Sequence, residues 1–142
     1  MYISDLIKRL NALGITLFVK DGQLKSKGPK GVLTNELSEE IKSNKVELIY
    51  LLDIKTSIAK IWCSLLGVSN VDDGGDFFDL GGHSLLGAQL IGKLQLKFKL
   101  DLNIKFIYQY RTLLDMSLQV EMLLYLKDIK QAKKDQVDTI IF

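Results

Sequence analysis

Apolar residues recur at intervals of three and four along most of this chain, and Pro29 is the only proline available to interrupt them. A pattern of that period with so few enforced breaks folds mainly as amphipathic helices. At 142 residues the chain has room for one ordinary domain or two small ones, and too little for most complete multi-step enzymes. Cys63 is the single cysteine, which excludes an internal disulfide and every multi-cysteine zinc framework. A formal net charge of +2 gives no electrostatic ground for a nucleic-acid partner. No apolar run reaches the roughly 18 residues that span a bilayer. The opening Met1-Tyr2-Ile3-Ser4-Asp5 lacks the basic-then-apolar layout of a secretory signal. The expectation is a small, cytoplasmic, mostly α protein with no membrane partner.

Ile3, Leu6, Ile7, Leu10 and Leu13 form the first helical stripe, and Gly14 stands where a C-terminal cap belongs. The period then drops to two over Ile15, Leu17 and Val19, a strand. Asp21-Gly22 follows, a dipeptide suited to a tight hairpin because both central residues need positive φ. Gln23 to Lys27 returns as a more polar strand. After the Gly28-Pro29-Lys30-Gly31 loop, Thr34 is a helix N-cap with Glu36 in the first turn. Leu33, Leu37 and Ile41 mark that helix, and Val46, Ile49 and Leu52 mark another. Residues 1–53 thus read helix, hairpin, helix, helix.

The pattern restarts near residue 54 without a Pro/Gly/Ser-rich linker, so one helix running through the boundary is compatible with it. Ile54, Ile58, Ile61, Trp62 and Leu65 make a strong stripe that ends near Gly67. A loop from Val68 to Gly82 carries Asp72, Asp73, Asp76 and Asp79. Helices follow from about Ser84 to Phe98, Lys105 to Tyr110 and Thr112 to about Leu126. Residues 54–126 are therefore a four-helix unit, about the minimum for a useful core. Cys63 beside Trp62 reads as a buried structural thiol. The four aspartates lack the terminal bidentate Glu of an EF-hand loop and read as solvated carboxylates, so no metal is expected.

The chemistry lies in Asp76-Phe77-Phe78-Asp79-Leu80-Gly81-Gly82-His83-Ser84-Leu85. This stretch sets a serine in the first turn of a helix directly after two glycines. Free backbone N–H groups and the positive helix end favour an anion there, such as a phosphodiester on the serine. The plainer alternative is that Ser84 is an ordinary N-cap. A hydrolase fits poorly, because Gly87 falls one residue too late for a nucleophile elbow and no strand leads in. His83, the only histidine, is adjacent to Ser84 in the helix and poorly placed to act as its base.

Leu80 to Leu85, with the acidic-aromatic lead-in Asp76 to Asp79, resembles the attachment motif of peptidyl carrier domains of nonribosomal peptide synthetases. The resemblance extends over about Ile54 to Leu126. It implies that Ser84 accepts 4'-phosphopantetheine from coenzyme A through a separate phosphopantetheinyl transferase, with Gly82, His83 and Leu85 around it. The arm then holds aminoacyl or peptidyl thioesters between adenylation and condensation domains. The carrier itself is no enzyme. Family members present Leu85 and the short third helix to partners, which makes Phe106 and Ile107 candidates, or else residues of the core. One departure is visible: Tyr110-Arg111 replaces a proline common before the fourth helix.

Residues 3–52 resemble the tubulysin-type N-terminal docking domain of the same synthetases. The resemblance rests on Leu13-Gly14-Ile15, Lys20 to Leu24 and Pro29 to Thr34. Such domains take the C-terminal tail of another subunit as an added strand. Lys25, Lys27 and Lys30 are candidates to steer an acidic tail, or else charges that blunt a sheet edge. The segment 127–142 ends in Asp135-Gln136-Val137-Asp138-Thr139-Ile140-Ile141-Phe142, which has β-formers, two acids and neither Gly nor Pro. Val137, Asp138, Ile140, Ile141 and Phe142 are thus candidates for a C-terminal docking motif.

The expected fold is a small α-β-β-α-α docking domain followed by a four-helix carrier bundle. The expected function is a peptidyl carrier, subunit recognition being left to the two ends. Alternatives are a pure interaction adaptor with Ser84 only a cap, and a polyketide-type acyl carrier.

Overall fold

The computed structural model describes residues 2–135. Among them lie α1 (Tyr2–Ala12), β1 (Thr16–Lys20), β2 (Gln23–Lys27), α2 (Asn35–Ser43), α3 (Lys45–Leu66), α4 (Ser84–Phe98), α5 (Lys105–Gln109) and α6 (Leu113–Asp135). The chain divides into two compact units, Met1–Asp53 and Ile54–Phe142. The single helix α3 carries the end of the first and the start of the second.

In the first unit, α1 buries Ile3, Leu6, Ile7 and Leu10. It ends at Gly14, which takes φ +76°, the left-handed value that favours glycine. Strands β1 and β2 pair antiparallel, with Phe18 opposite Lys25 and Thr16 opposite Lys27. Asp21 (φ +53°) and Gly22 (φ +74°) make the tight turn expected of that dipeptide. Leu17 is buried, while Phe18 and Val19 lie partly open. Thr34 caps α2, its hydroxyl accepting from the Leu37 N–H at 3.1 Å. The break between α2 and α3 falls at Asn44, whose side-chain amide donates to the Glu40 carbonyl at 2.8 Å. The Arg9 guanidinium pairs with the Glu40 carboxylate at 2.6 Å.

The start of α3 departs from the sequence reading. Val46 is 84% exposed, and the inward residues are Leu48, Leu51 and Leu52. Of Val46, Ile49 and Leu52, the last is buried and Ile49 half-buried; nearly every residue from Val46 to Leu52 is apolar, which leaves little polar contrast to set the phase.

In the second unit Ile54, Ile58 and Trp62 of α3 pack with Leu90, Ile91 and Leu94 of α4, Phe106 and Ile107 of α5, and Leu113, Met116 and Val120 of α6. The loop from 67 to 83 adds Phe77, which is fully buried. Each such side chain contributes about 1.5–3 kcal/mol relative to an exposed one. This is the four-helix arrangement expected of residues 54–126.

Three expectations are corrected here. Phe106 and Ile107 are core residues, 6% and 0% exposed, and cannot face a partner. The last helix runs on to Asp135, because Lys127 to Lys134 is rich in good helix formers and the Lys127 ammonium donates to the Lys99 carbonyl just past the end of α4, at 2.6 Å. Cys63 is half-buried rather than enclosed. Val137, Asp138, Ile140, Ile141 and Phe142 lie outside the described residues.

Candidate functional site

The loop before α4 is bound to the start of α6 by backbone. The Phe77 N–H donates to the Arg111 carbonyl at 2.9 Å, and the Leu113 and Leu114 N–H groups donate to the carbonyls of Gly75 and Asp73 at 3.0 and 2.9 Å. Two otherwise orphaned donors of the first turn of α6 are satisfied in this way.

Side chains reinforce the join. One Asp76 carboxylate oxygen accepts from the backbone N–H groups of Phe78 (2.9 Å) and Asp79 (3.3 Å), shaping the turn that follows. The other lies 3.1 Å from Nε of Arg111. Lys55 pairs with Asp73 at 2.7 Å. Asp73 and Asp76 are therefore structural ties rather than the solvated carboxylates read from sequence. Among the described residues no cluster of three or more His, Cys, Asp or Glu is arranged to hold a metal ion.

The two aromatic residues divide the work. Phe77 meets Trp62 edge to face, with centroids 5.2 Å apart, and so anchors the loop in the core. Phe78 stacks on Tyr108 at 4.9 Å, and the Arg111 guanidinium sits over the Phe78 ring at 5.0 Å. The chain then turns through Gly81 (φ +109°) and Gly82, whose N–H donates to the Phe77 carbonyl at 2.9 Å.

At the start of α4 the cap is His83, in extended conformation (φ −146°, ψ 179°). Its Nδ1 accepts from the Leu86 N–H at 3.5 Å, a long and weak contact, and its carbonyl accepts from the Gly87 N–H at 2.7 Å. Ser84 is the first helical residue, exposed, and its hydroxyl bonds to none of the described residues. The reading of Ser84 as the N-cap is thereby corrected, since the histidine before it fills that position. The first turn of α4 holds no acidic side chain, so an anion on the Ser84 oxygen meets the helix N-terminus without a like charge in that turn. The residues present fit a phosphodiester.

Around Ser84, Leu85 is 65% exposed. On α5 and its approach the outward residues are Ile104 (40%) and Tyr108 (49%), which the sequence reading missed in favour of Phe106 and Ile107. In the sequence Tyr110-Arg111 stands out only as replacing a proline, and no local pattern signals the ties of Arg111 to Asp76 and Phe78. In the first unit Lys25, Lys27 and Lys30 are all exposed, and none forms an ion pair among the described residues.

Comparison with known proteins agrees with this geometry. Residues 3–53 match the TubC N-terminal docking domain family, and residues 56–120 match the phosphopantetheine attachment site family. Phosphinothricin tripeptide synthetase PhsB of Streptomyces viridochromogenes is 38% identical over 63 residues, 44% of this chain and 5% of the relative. Nonribosomal peptide synthetase asaC of Aspergillus flavus is 40% identical over 65 residues, 46% of this chain and 6% of the relative. The chain thus spans about one twentieth of the length of these relatives.

Among solved structures, BlmI, a type-II acyl-carrier-protein from Streptomyces verticillus, superposes with a TM-score of 0.55 at 26% identity. The match covers 57% of this chain and 98% of BlmI. A non-covalent extended docking domain complex of the Pax nonribosomal peptide synthetase gives 0.50 at 25% identity, covering 60% and 85%.

Proposed function

We propose that this chain, which carries a TubC N-terminal docking domain at its start and a phosphopantetheine-attachment domain after it, is a peptidyl carrier of a nonribosomal peptide synthetase. Ser84 is its attachment residue. The single observation that carries the reading is the exposed Ser84 hydroxyl at the first position of α4, with the cap supplied by His83 instead. A serine spared from capping, on a turn opened by Gly81 and Gly82, is accessible to a modifying enzyme.

When attached, phosphopantetheine supplies a terminal thiol that carries an acyl group as a thioester. The residues of this chain hold and orient the attachment point. The first turn of α4 faces the phosphodiester with its N–H groups, Gly82 leaves the approach open, and His83 fixes the helix start. Leu85, with Ile104 just before α5 and Tyr108 on it, offers exposed apolar surface to adenylation and condensation domains and to the transferase. In this reading the carrier does none of the bond-making itself.

The docking unit joins the carrier to another synthetase subunit. The support is the exposed Lys25, Lys27 and Lys30 beside a two-stranded sheet whose strands pair only with each other among the described residues. Residues Val137 to Phe142 have the composition of a strand-forming segment for such a hairpin. No helix among the described residues is long and apolar enough to cross a membrane.

Intact mass after incubation with coenzyme A and a promiscuous phosphopantetheinyl transferase tests the reading. One added phosphopantetheine in the parent and none in Ser84→Ala is expected. A folded parent that gains nothing overturns it and leaves the interaction adaptor. If modification occurs, the loading enzyme that accepts the product separates a peptidyl from a polyketide-type carrier.

A further inference from the structure

Arg111 grips the attachment loop by backbone, charge and ring at once. Its carbonyl accepts from the Phe77 N–H at 2.9 Å, its Nε lies 3.1 Å from Asp76, and its guanidinium covers the Phe78 ring at 5.0 Å. Asp76 in turn accepts from the Phe78 and Asp79 N–H groups. From there packing is continuous towards the serine. Phe78 meets Phe77 edge to face at 5.6 Å, and Phe77 leaves no room for a Cβ on Gly82, two residues before Ser84. On its other flank Phe78 stacks on the exposed Tyr108.

We propose that Arg111 is a positioning residue for the modification of Ser84. It latches the loop to the α5–α6 junction, so that Ser84 and the Leu85–Tyr108 surface are presented to the modifying enzyme in one arrangement. A planar guanidinium suits the task because it can pair with a carboxylate through its edge while lying flat on a ring. The pair is part-exposed, the Arg111 side chain at 47%, so its worth is geometric more than energetic. The inference rests on Ser84 being the attachment residue.

Full-length Arg111→Gln, Arg111→Lys and Asp76→Asn are compared with the parent in two measurements. The first is steady-state phosphopantetheine transfer. The second is hydrogen exchange at the Gly82 amide, read by NMR. Asp76→Asn keeps an oxygen for the Phe78 and Asp79 N–H groups while removing the charge.

The expected result is a KM, counted per folded carrier, raised about threefold or more in Arg111→Gln with kcat nearly unchanged, because a misaligned surface weakens encounter. A merely less folded carrier, being the substrate, raises apparent KM only in proportion to the folded fraction it loses, and counting per folded carrier removes that part. Gly82 exchange should rise in parallel. Arg111→Lys should recover part of both effects, and combining Arg111→Gln with Asp76→Asn should add little to either alone. Parent-like KM and parent-like Gly82 exchange in Arg111→Gln overturn the proposal. Should that variant fail to fold, Arg111→Lys and Asp76→Asn decide on the same two readouts. A parent that accepts no phosphopantetheine overturns the carrier reading, and the Gly82 exchange then decides the latch alone.

Discussion

Gly82 packs its backbone against the Phe77 ring so closely that a Cβ there would lie 2.4 Å from two ring carbons and 2.6 Å from the Phe77 carbonyl oxygen. The ring cannot retreat, because it is fully buried and set edge to face on Trp62. The glycine before His83 and Ser84 is therefore a packing requirement of the site as well as an opening for an enzyme.

It follows that Gly82→Ala should destabilise the carrier unit by about 1–3 kcal/mol, the usual cost of forcing an extra carbon into a packed place. Gly74→Ala is the control, since nothing lies within 4 Å of a Cβ there. Urea unfolding checks both: a lower midpoint with an unchanged slope for Gly82→Ala, and no loss for Gly74→Ala. Equal midpoints would mean that the loop moves aside freely.

The two faces of α5 predict opposite behaviour for neighbouring residues. Ile107→Ala removes a fully buried side chain and should cost about 2–5 kcal/mol. Tyr108→Ala removes one that is half exposed, loses chiefly the stack on Phe78, and should cost about 0.5–1.5 kcal/mol beyond its buried area. In the transfer assay the order should reverse, with Tyr108→Ala raising KM while the folded fraction of Ile107→Ala reacts as the parent does. Thermal melting and transfer kinetics on the same samples read both.

What the sequence revealed and what it hid divide along the distance over which each feature is made. The Thr34 cap, the Asp21-Gly22 turn and the Gly14 stop each depend on neighbours within a few residues, and all three stand where the pattern put them. So does the start of α4 at Ser84, although the capping side chain proved to be His83, a residue outside the usual Ser, Thr, Asp and Asn set. The inward face of α5 was not legible, because a helix of five residues is too short to show a period. The Arg111–Asp76 tie joins residues 35 apart, which no local pattern encodes. The length of α6 was missed for a different reason: after Leu126 the helix has almost no apolar stripe, and intrinsic propensity together with Lys127 carries it onward.

His83 should matter to the helix start and hardly at all to proton transfer. Its contact with the Leu86 N–H is 3.5 Å, so His83→Ala should cost about 0.5 kcal/mol, at the low end for a lost cap. His83→Asn supplies a better cap and should be at least as stable as the parent. Both variants should accept phosphopantetheine at near-parental kcat. A drop of a hundredfold or more in both, which is about the contribution of a general base, would assign His83 a chemical part after all.

Charge on the hairpin should govern recognition without touching stability. Lys25 and Lys27 are exposed, opposite Phe18 and Thr16 on the neighbouring strand, and neither is paired within the described residues. Each contact with an acidic strand is worth about 0.2–1 kcal/mol, so losing both should weaken binding about two- to thirtyfold. The probe is a synthetic peptide of residues 135–142, which carries Asp135 and Asp138 among β-forming residues. Calorimetric titration of the parent and of Lys25→Gln/Lys27→Gln should show that loss at low salt. The gap should close near 1 M salt, where the screening length falls to about 3 Å. The melting temperature should stay put, because neither lysine contacts the buried Leu17 side of the hairpin. Equal affinity at low salt would leave the lysines as guards of an open sheet edge, with recognition carried by the apolar residues of the partner strand.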